Sequence, residues 1–324
     1  MAGLTDLYGR SLNYARISVT DRCNFRCAYC MPADGIECLA HSDIMRYEEI
    51  LFLAENLHSL GIRKIRITGG EPFVRKGLTD FIRELREELP DIKIALTTNA
   101  SLLKQYIKPL SEAGVNSLNI SMDTLDPLKF NKITRIGDIS SVLESIDAAS
   151  EAAIENIKLN TVLMRGFNED EVGDIISYAN KRKILPRFIE FMPLESDVWN
   201  KNSFISWKEI TDSMPGAEAW KPMPVPSGDE GPARYYINRE NGCTVGVISA
   251  VSDRFCRGCN RIRISASGKL RTCLFDPHET PLRDLIVSRD AAALRERIND
   301  AVKNKPRYGE DVRNGALHMS NIGG

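Results

Sequence analysis

The sequence predicts an α/β protein whose first part is an incomplete (βα)6 barrel of the TIM type. Two observations predict this class. Between residues 15 and 193, short runs of β-branched residues alternate with amphipathic helical stretches, which is typical of parallel strands joined by helices. From about residue 200 the alternation stops, five prolines fall between Pro215 and Pro232, and strand-like patterns follow. We therefore predict a barrel region over residues 1–200 and a β-containing C-terminal region over residues 201–324.

Each of six strands is followed by a helical pattern in the barrel region. In the second helix, apolar residues recur three or four positions apart at Leu78, Phe81, Ile82 and Leu85, so that one face packs on the sheet. Six units are fewer than the eight that close an ordinary barrel. The predicted strands cover residues 16–20, 64–68, 93–98, 117–121, 157–163 and 187–192.

The C-terminal region has no regular alternation of strands and helices. The proline-rich segment 215–232 predicts an irregular connection, and strands are predicted over 235–238 and 244–249. A hairpin is predicted from residues 261–265 and 270–273, with Gly268 at its turn. One helix from about residue 281 to 302 completes the prediction.

Composition limits the classes of function. The 324 residues carry 43 basic and 44 acidic side chains, and this net charge of −1 gives no electrostatic reason to expect nucleic acid or a membrane surface as partner. No apolar run exceeds five residues, so neither a membrane span nor an export signal is predicted, and we expect a cytoplasmic protein. Eight cysteines are too sparse for a disulfide scaffold, which leaves them available as ligands.

The predicted strands alternate polar and apolar residues, although strands of a helix-covered parallel sheet are normally apolar throughout. If the sheet curves, the polar face becomes the interior of the barrel. Charges buried there without partners would be very unfavourable, so the pattern predicts a hydrated, cationic cavity that receives an anionic ligand. Edge strands with one solvated face are the alternative. The residues on this face are Arg16, Ser18, Thr20, Arg66, Thr68, Thr97, Asn119, Ser121, Lys158, Asn160, Glu190 and Met192.

A first cysteine triplet, Cys23-x3-Cys27-x2-Cys30, directly follows the first strand, where barrel enzymes place catalytic loops. Three thiolates can bind three irons of a 4Fe-4S cluster and leave the fourth iron open for a ligand. Zinc is the main rival, but a structural zinc site needs four ligands and the nearest histidine is His41. Charged neighbours also argue against a buried stripe of cysteines, so the sequence favours a cluster.

A second triplet, Cys256-x2-Cys259 with Cys273, again offers three ligands. By itself this triplet fits zinc as well as a cluster, because His278 could supply a fourth ligand. Arg261 and Arg263 follow at once, and paired guanidinium groups suit planar or phosphate-bearing ligands. Their presence favours a second iron-sulfur site in the C-terminal region, although a solvated hairpin face would show the same pattern.

The first triplet, with Tyr29 before its last cysteine, resembles the signature of the radical S-adenosylmethionine superfamily. The segment Thr68-Gly69-Gly70-Glu71-Pro72 agrees, since its glycines permit close approach to a ligand and its amides and Glu71 can bind an ammonium group. The resemblance implies that the open iron binds S-adenosyl-L-methionine and that reductive cleavage yields a 5'-deoxyadenosyl radical. The cofactor contacts implied are Tyr29, Gly70, Glu71, Ser121 and Met192.

The whole chain, from Gly9-Arg10 to Gly323-Gly324, resembles the GTP 3',8-cyclases of molybdenum cofactor biosynthesis. Matching segments include residues 21–27, 30–32, 67–72, 119–121, 165–168, 189–192 and 255–273. The resemblance implies a second 4Fe-4S cluster that holds the guanine ring, and a Gly323-Gly324 tail that reaches the cavity and, with Arg261 and Arg263, supports catalysis. The GTP contacts implied are Arg16, Arg66, Thr97, Lys158, Arg261, Ile262 and Arg263.

The same resemblance implies that the radical takes the 3' hydrogen of GTP and that the ribose carbon then attacks carbon 8 of guanine. A homodimer, an unidentified electron donor and product hand-off to cyclic pyranopterin monophosphate synthase are further implications. One departure is Ala100, where family members commonly have glycine. Two rival classes stay open: a peptide-modifying radical enzyme with a fully ligated second cluster, and a zinc-binding structural or nucleic-acid-binding module, against which the near-zero net charge argues.

Overall fold

Six parallel strands form the centre of a twelve-stranded sheet in the computed structural model, which describes residues 3–194, 198–226 and 231–309. Each pairs in parallel with the next along the chain. All six predicted strands are confirmed, although the first and last each begin two residues earlier than predicted. The strands are β1 (Tyr14–Ser18), β2 (Lys64–Thr68), β3 (Lys93–Thr98), β4 (Ser117–Ser121), β5 (Asn156–Leu163) and β6 (Leu185–Glu190).

The helices between these strands pack one apolar face on the sheet. In the second of them the predicted residues Leu78, Phe81, Ile82 and Leu85 are all buried. None of the described helices is both long and apolar enough to cross a membrane. The six helices are α1 (Tyr47–Ser59), α2 (Leu78–Glu88), α3 (Ile107–Glu112), α4 (Pro127–Thr134), α5 (Ile139–Ser150) and α6 (Val172–Lys181).

The C-terminal region extends both edges of the barrel sheet. Its strands are β7 (Trp220–Met223), β8 (Arg234–Asn238), β9 (Thr244–Ile248), β10 (Arg261–Ile264), β11 (Lys269–Arg271) and β12 (Thr280–Pro281). Strand β9 pairs in parallel with β6, and β10 pairs in parallel with β1, so eight consecutive strands of the sheet are parallel. The two predicted regions therefore share one sheet, and the boundary at residue 200 stays a prediction.

Two predictions for this region are wrong. The proline-rich segment contains β7, whose Pro222 is tolerated because β7 lies at the end of the sheet and pairs only with β8 among the described strands. The single helix expected over residues 281–302 is two helices, α8 (Arg283–Val287) and α9 (Ala291–Lys303). Arg289 between them has φ +56°, and Asp290 caps α9 by accepting from the Ala293 amide at 3.0 Å.

A short helix, α7 (Trp207–Asp212), precedes β7. The predicted hairpin around Gly268, whose φ is +78°, is confirmed.

The registers place most of the predicted polar residues on one interior face. Arg16 lies between Arg263 and Arg66, its partners on the two neighbouring strands. The opposite face carries the main core, where Ile17, Ile67 and their counterparts on the other strands are buried against the helices. The sheet is therefore polar on its inner face, as the alternation predicts.

One residue of this face was predicted wrongly. Glu190 pairs in register with Leu163 and lies on the outer face, so the inward-facing residues of β6 are Arg187 and Ile189. Glu190 is fully buried and its carboxylate accepts from the amides of Trp207 (2.7 Å), Val251 (2.7 Å) and Ser252 (2.8 Å). These donors explain the outward position, because they belong to segments that pack behind the sheet.

Candidate active site

A cavity of about 280 Å³ lies on the interior face of the sheet. Its lining joins the loops after β1 to β4 with the inner residues of β1, β2, β6 and β10. Most of the predicted site residues are brought together here: Arg16, Cys23, Cys27, Tyr29, Cys30, Arg66, Gly70, Thr97, Ser121, Met192, Arg261 and Arg263.

The first cysteine triplet lines this cavity. Burial raises the pKa of Cys27 well above its usual value, and the neighbouring Cys30, Asp123 and Cys23 raise it further. The three thiols therefore lie close enough for their charges to interact, and they need a positive group between them to ionise together. Iron supplies that charge, so the donor set fits a cluster held by Cys23, Cys27 and Cys30.

The triplet loop is fixed by backbone contacts to the end of α4. The amides of Arg26 and Ala28 donate to the carbonyls of Thr134 (3.0 Å) and Ile133 (2.9 Å). Arg135 donates from Nη1 to the carbonyl of Met31 at 3.0 Å. The thiols thus line the cavity from a loop whose backbone is held by the end of α4.

The glycines after β2 approach this loop very closely. A Cβ atom on Gly70 would lie 2.3 Å from the Arg22 carbonyl oxygen and 2.9 Å from the Cys23 Cβ. The Gly70 amide donates to the Thr20 carbonyl at 2.9 Å, and the Glu71 amide donates to the Arg22 carbonyl at 2.9 Å. Only glycine fits at position 70, which leaves its bare backbone facing the cavity beside the thiols.

Glu71, a predicted cofactor contact, accepts hydrogen bonds from donors of the chain itself. Its side chain is fully buried and does not line the cavity. The carboxylate accepts from the amides of Phe73 (3.2 Å) and Asn99 (2.7 Å) and from the Thr98 hydroxyl (2.9 Å). Burial raises its pKa to about 7, against the effect of these hydrogen bonds. The carboxylate is thus engaged by three donors in this structure, and contact between Glu71 and an ammonium group stays a prediction.

Asn99 links Glu71 to the loop that bears the first triplet. Its Nδ2 donates to Asn24 Oδ1 at 3.0 Å and lies 3.9 Å from Cys23 Sγ. The sequence analysis missed this residue, although its place directly after β3 was a signal. Ala100, next to it, is buried with φ +63°, the conformation for which family members use glycine.

Tyr29 and Asp123 form a second buried contact in the cavity. Tyr29 donates from its hydroxyl to Asp123 Oδ2 at 2.7 Å, and the Val162 amide donates to Asp123 Oδ1 at 2.9 Å. Burial raises the pKa of Asp123 to about 6. Among the described lining residues Asp123 is the one carboxylate, whereas arginine and lysine side chains line several strands.

A cluster of cations surrounds Tyr14, which the sequence analysis did not select. Arg66 Nε donates to the Tyr14 hydroxyl at 2.5 Å. Burial opposes ionisation of this phenol, but Arg66, Arg16, Arg261 and Lys64 outweigh it and lower the Tyr14 pKa to about 7. Burial also lowers the pKa of Arg16 well below its usual value. Strand parity could have identified Tyr14, which lies two residues before Arg16.

Two polar atoms in the cavity lining point to a ligand. Thr68 Oγ1 and Asn119 Oδ1 are buried and have no hydrogen-bond partner within the described residues. Buried polar groups are normally paired, so an occupant of the cavity would satisfy these two. Asn119 Oδ1 needs a donor and the cation cluster attracts negative charge, so together these groups favour an anion that also carries O–H or N–H groups.

The second cysteine triplet lies at the side of the cavity formed by β10. Its neighbours Phe255, Leu274 and Arg261 line the cavity, whereas the three cysteines are half-buried behind them. Burial raises the pKa of Cys273, and Cys259 and Cys256 add to the effect, so these thiols also lie close to one another. The donor set again fits an iron-sulfur cluster.

His278 does not complete a zinc site. Its ring nitrogen Nδ1 lies 2.7 Å from Asp276 Oδ1, and its side chain is 88% exposed. In the part of the chain that the structure describes, no group of three or more His, Cys, Asp or Glu side chains is arranged to hold a single metal ion. His278 is therefore not placed as a fourth ligand beside the second triplet.

Two predicted GTP contacts, Lys158 and Ile262, are not among the described lining residues of the cavity. Lys158 is on the interior face beside Asn119, 2% exposed, and is not part of the described lining. The Ile262 side chain is fully buried in the core on the outer face, and its contact with GTP stays a prediction. Gly323 and Gly324 lie outside the described residues.

Comparison with known proteins supports the reading of both triplets. Residues 17–179 match the family model of the radical SAM superfamily, and residues 184–310 match that of Molybdenum Cofactor Synthesis C. The chain is 45% identical over 306 residues to a GTP 3',8-cyclase of Peptoclostridium acidaminophilum, covering 94% of this chain and 92% of that protein. It is 41% identical over 323 residues to a GTP 3',8-cyclase of Thermodesulfovibrio yellowstonii, covering 99% of this chain and all of that protein.

Solved structures support the fold. Streptococcus suis SuiB bound to S-adenosylmethionine aligns with a TM-score of 0.64 at 13% identity, covering 92% of this chain and 65% of SuiB. At that identity the likeness concerns the fold alone. The relatives that match over nearly the full chain, the two family models and the two thiol triplets all agree. The chain belongs to the GTP 3',8-cyclase family of the radical SAM superfamily.

Proposed function

We propose that the chain converts GTP to (8S)-3',8-cyclo-7,8-dihydroguanosine 5'-triphosphate, the first step of molybdenum cofactor biosynthesis. The observation that carries the proposal is a single cavity with the first thiol triplet in its wall and Arg261 and Arg263 in another part of it. Identity of 45% to a GTP 3',8-cyclase over 94% of the chain supports it. The cofactors are two 4Fe-4S clusters and S-adenosyl-L-methionine.

The inner face of the barrel binds the triphosphate. Arg16 and Arg66 lie side by side on β1 and β2, and Arg187 faces them from β6, where its Nε donates to Asn160 at 2.9 Å. Lys158 stays a predicted contact, as do Thr97 and the two arginines of β10. A triphosphate offers many oxygen acceptors, and guanidinium groups bind such oxygens in pairs.

The loops after β1, β2 and β4 hold the cofactor end of the cavity. When bound, the first cluster supplies the electron that cleaves S-adenosylmethionine and so provides the radical that takes the 3' hydrogen of GTP. Gly70 presents its backbone beside the triplet, and Tyr29, Ser121 and Met192 line the adjoining wall. These groups bring the two reactants into contact, and such positioning supplies much of the rate acceleration in reactions of this kind.

Arg261 and Arg263 act at the guanine end. Both line the cavity, and burial, with Arg261 adding to the effect, lowers the pKa of Arg263 to about 10. Closure of the new ring requires one electron and one proton in addition to the hydrogen removed. A cationic wall at guanine favours the addition of that electron, because it stabilises the negative charge that the electron brings.

The proposal extends to the partners and the location of the protein. We infer a homodimer, an electron donor of undefined identity, hand-off of the product to cyclic pyranopterin monophosphate synthase, and a cytoplasmic location. We also infer that the Gly323-Gly324 end reaches the cavity. In support, Gly309, the last described residue, packs against Phe275, two residues beyond Cys273.

Removal of each triplet tests the proposal. We expect anaerobically reconstituted wild-type protein to be brown, and the variants with alanine at 23, 27 and 30 or at 256, 259 and 273 to lose about half of the iron and acid-labile sulfide. With GTP, S-adenosylmethionine and dithionite, only the wild type should form the cyclised nucleotide. The matched control is Cys38→Ala, since Cys38 is exposed and belongs to neither triplet. Cyclised product from the second variant at the wild-type rate would refute the proposal.

Tyr14 should make GTP binding pH-dependent. Its pKa of about 7 lies below the unfolded value of 10.0, so the phenolate predominates above pH 7. Bound triphosphate would neutralise the same cations, raise this pKa and so draw a proton onto Tyr14. We expect uptake of up to about one proton per GTP at pH 8 and affinity that weakens as pH rises above 7.

Calorimetric titration with GTP, without reductant, in buffers of different ionisation enthalpy measures this uptake. Tyr14→Phe removes the titrating hydroxyl and keeps the ring, so the variant should bind GTP with little proton uptake. Equal uptake by the wild type and the variant would show that another group titrates.

A further inference from the structure

Lys305 is a buried ammonium group two residues after α9, and it lies close to the second thiol triplet. Only 2% of the residue is exposed. Its Nζ donates to the carbonyl of Arg261 at 3.0 Å and to the carbonyl of Thr272. Within residues 3–194, 198–226 and 231–309 it makes no ion pair with a carboxylate.

A buried ammonium with carbonyl partners alone is unfavourable, because it has lost its hydration without gaining an opposite charge. The two carbonyls identify where that opposite charge lies. Thr272 immediately precedes Cys273, and Arg261 follows Cys259 by two residues. Lys305 is also the leading charge that favours the thiolate form of Cys259. The second triplet, once ionised and bound to iron, is the anion that this position lacks.

Three arginines near this triplet make different contacts from those of Lys305. Arg261 and Arg263 line the cavity and face the substrate side. Arg10 donates from Nη1 to the Cys256 carbonyl at 2.9 Å, but its Nε is 2.5 Å from Asp6 Oδ2, so this pair adds no net charge. Of the three cations that favour the Cys259 thiolate, Lys305 is thus the one that neither lines the cavity nor pairs with a carboxylate among the described residues.

The first triplet has the opposite surroundings. Asp123 disfavours the thiolate of Cys27, and Glu71 disfavours that of Cys23, which Arg26 favours. An iron-sulfur cluster becomes more negative by one charge on reduction, and its potential responds to nearby charges. The chain therefore offers its two clusters different electrostatic environments.

We propose that Lys305 compensates the charge of the second cluster and raises its midpoint potential by stabilising the reduced state. The inference rests on the second cluster of the proposed function but on no step of GTP cyclisation. Lys305 acts through the cluster and touches no substrate, so it is a positioning residue. Its ammonium group stabilises the negative charge of the buried cluster, as water would do for an exposed cluster.

Potentiometric titration followed by electron paramagnetic resonance tests the proposal. The full chain with alanine at 23, 27 and 30 reports the second cluster alone. In that background we expect Lys305→Met to shift the midpoint potential to a more negative value and Lys305→Arg to keep it near the parent value. Lys303→Met is the matched control, because Lys303 ends the same helix with a side chain that is 59% exposed. An unchanged or more positive potential in Lys305→Met refutes the proposal.

Thermal unfolding provides a second test that keeps the proposal open to refutation if Lys305→Met holds its cluster poorly. In the reconstituted wild-type background the substitution should lower Tm. In the variant with alanine at 256, 259 and 273, where no cluster forms, the decrease should be at most half as large. Equal decreases in both backgrounds, or loss of the second cluster in Lys305→Arg as well, would mean that geometry and not charge matters. Neither readout involves GTP turnover, so failure of the cyclase proposal leaves both informative.

Discussion

Alanine at position 70 is expected to abolish reductive cleavage of S-adenosylmethionine. The added Cβ would lie 2.3 Å from the Arg22 carbonyl oxygen and 2.9 Å from the Cys23 Cβ, both in the loop that bears the first triplet. Since neither is the flexible end of a side chain, the loop itself must move. A displacement of about 1 Å at a reacting centre lowers rates by about a hundredfold, so 5'-deoxyadenosine formation should fall by at least that factor.

The measurement is 5'-deoxyadenosine formed per chain under dithionite, with iron and sulfide quantified in the same sample. Gly3→Ala is the matched control. Its Cβ would meet nothing nearer than the Leu60 carbonyl oxygen at 4.0 Å. A Gly70→Ala enzyme that cleaves the cofactor at the wild-type rate would show that the close approach of the two loops has no part in the chemistry.

Arg66→Ala is expected to weaken GTP binding by about a hundredfold or more while both clusters remain. Arg66 is buried on the inner face, where its Nη1 donates to the Leu96 carbonyl at 2.8 Å and its Nε to Tyr14. Removing one partner of a buried, hydrogen-bonded charge contact costs about 2–5 kcal/mol of binding free energy. The position lies beside Arg16, so the triphosphate would lose one of two adjacent guanidinium groups.

Equilibrium binding of GTP to the reconstituted enzyme without reductant gives this affinity. Arg63→Ala serves as control, because Arg63 precedes the same strand, is exposed and donates to the His58 carbonyl. Loss of iron in Arg66→Ala in proportion to the loss of binding would instead indicate a structural role. Unchanged affinity would remove Arg66 from the GTP site.

The six barrel strands could be predicted because their pattern is local. Alternation within each strand also placed Arg16, Arg66, Thr97 and Ser121 on one face, and the structure puts all four around the cavity. Strand β6 shows how this reasoning fails. The prediction assigned the even-numbered residues of this strand to the interior, whereas Arg187 and Ile189 face the cavity, and side chains of a strand change face with every residue. The true phase follows from three backbone amides that approach Glu190 from α7 and the loop after β9.

Contacts between distant segments could not be predicted. Strands β9 and β10 extend opposite edges of the barrel sheet, although only twelve residues separate them in the chain. The Tyr14 cation cluster draws on β1, β2 and β10, and its effect on the phenol depends on how close those strands lie. The motif indicated that Glu71 binds a ligand, yet its carboxylate accepts hydrogen bonds from backbone amides of two neighbouring loops.

The sequence by itself identified the first cysteine triplet as a cluster site, since the spacing of cysteines within one loop limits which ligands a cluster can have. It also determined the βα repeat and the polar inner face, which follow from short-range periodicity. Only the tertiary structure decided which charges are buried together: the arginines against Tyr14, Glu71 against backbone amides, and Lys305 close to the second triplet. The physical reason is that the energy of a charge depends on its burial and its neighbours, and both are set by residues far away in the chain.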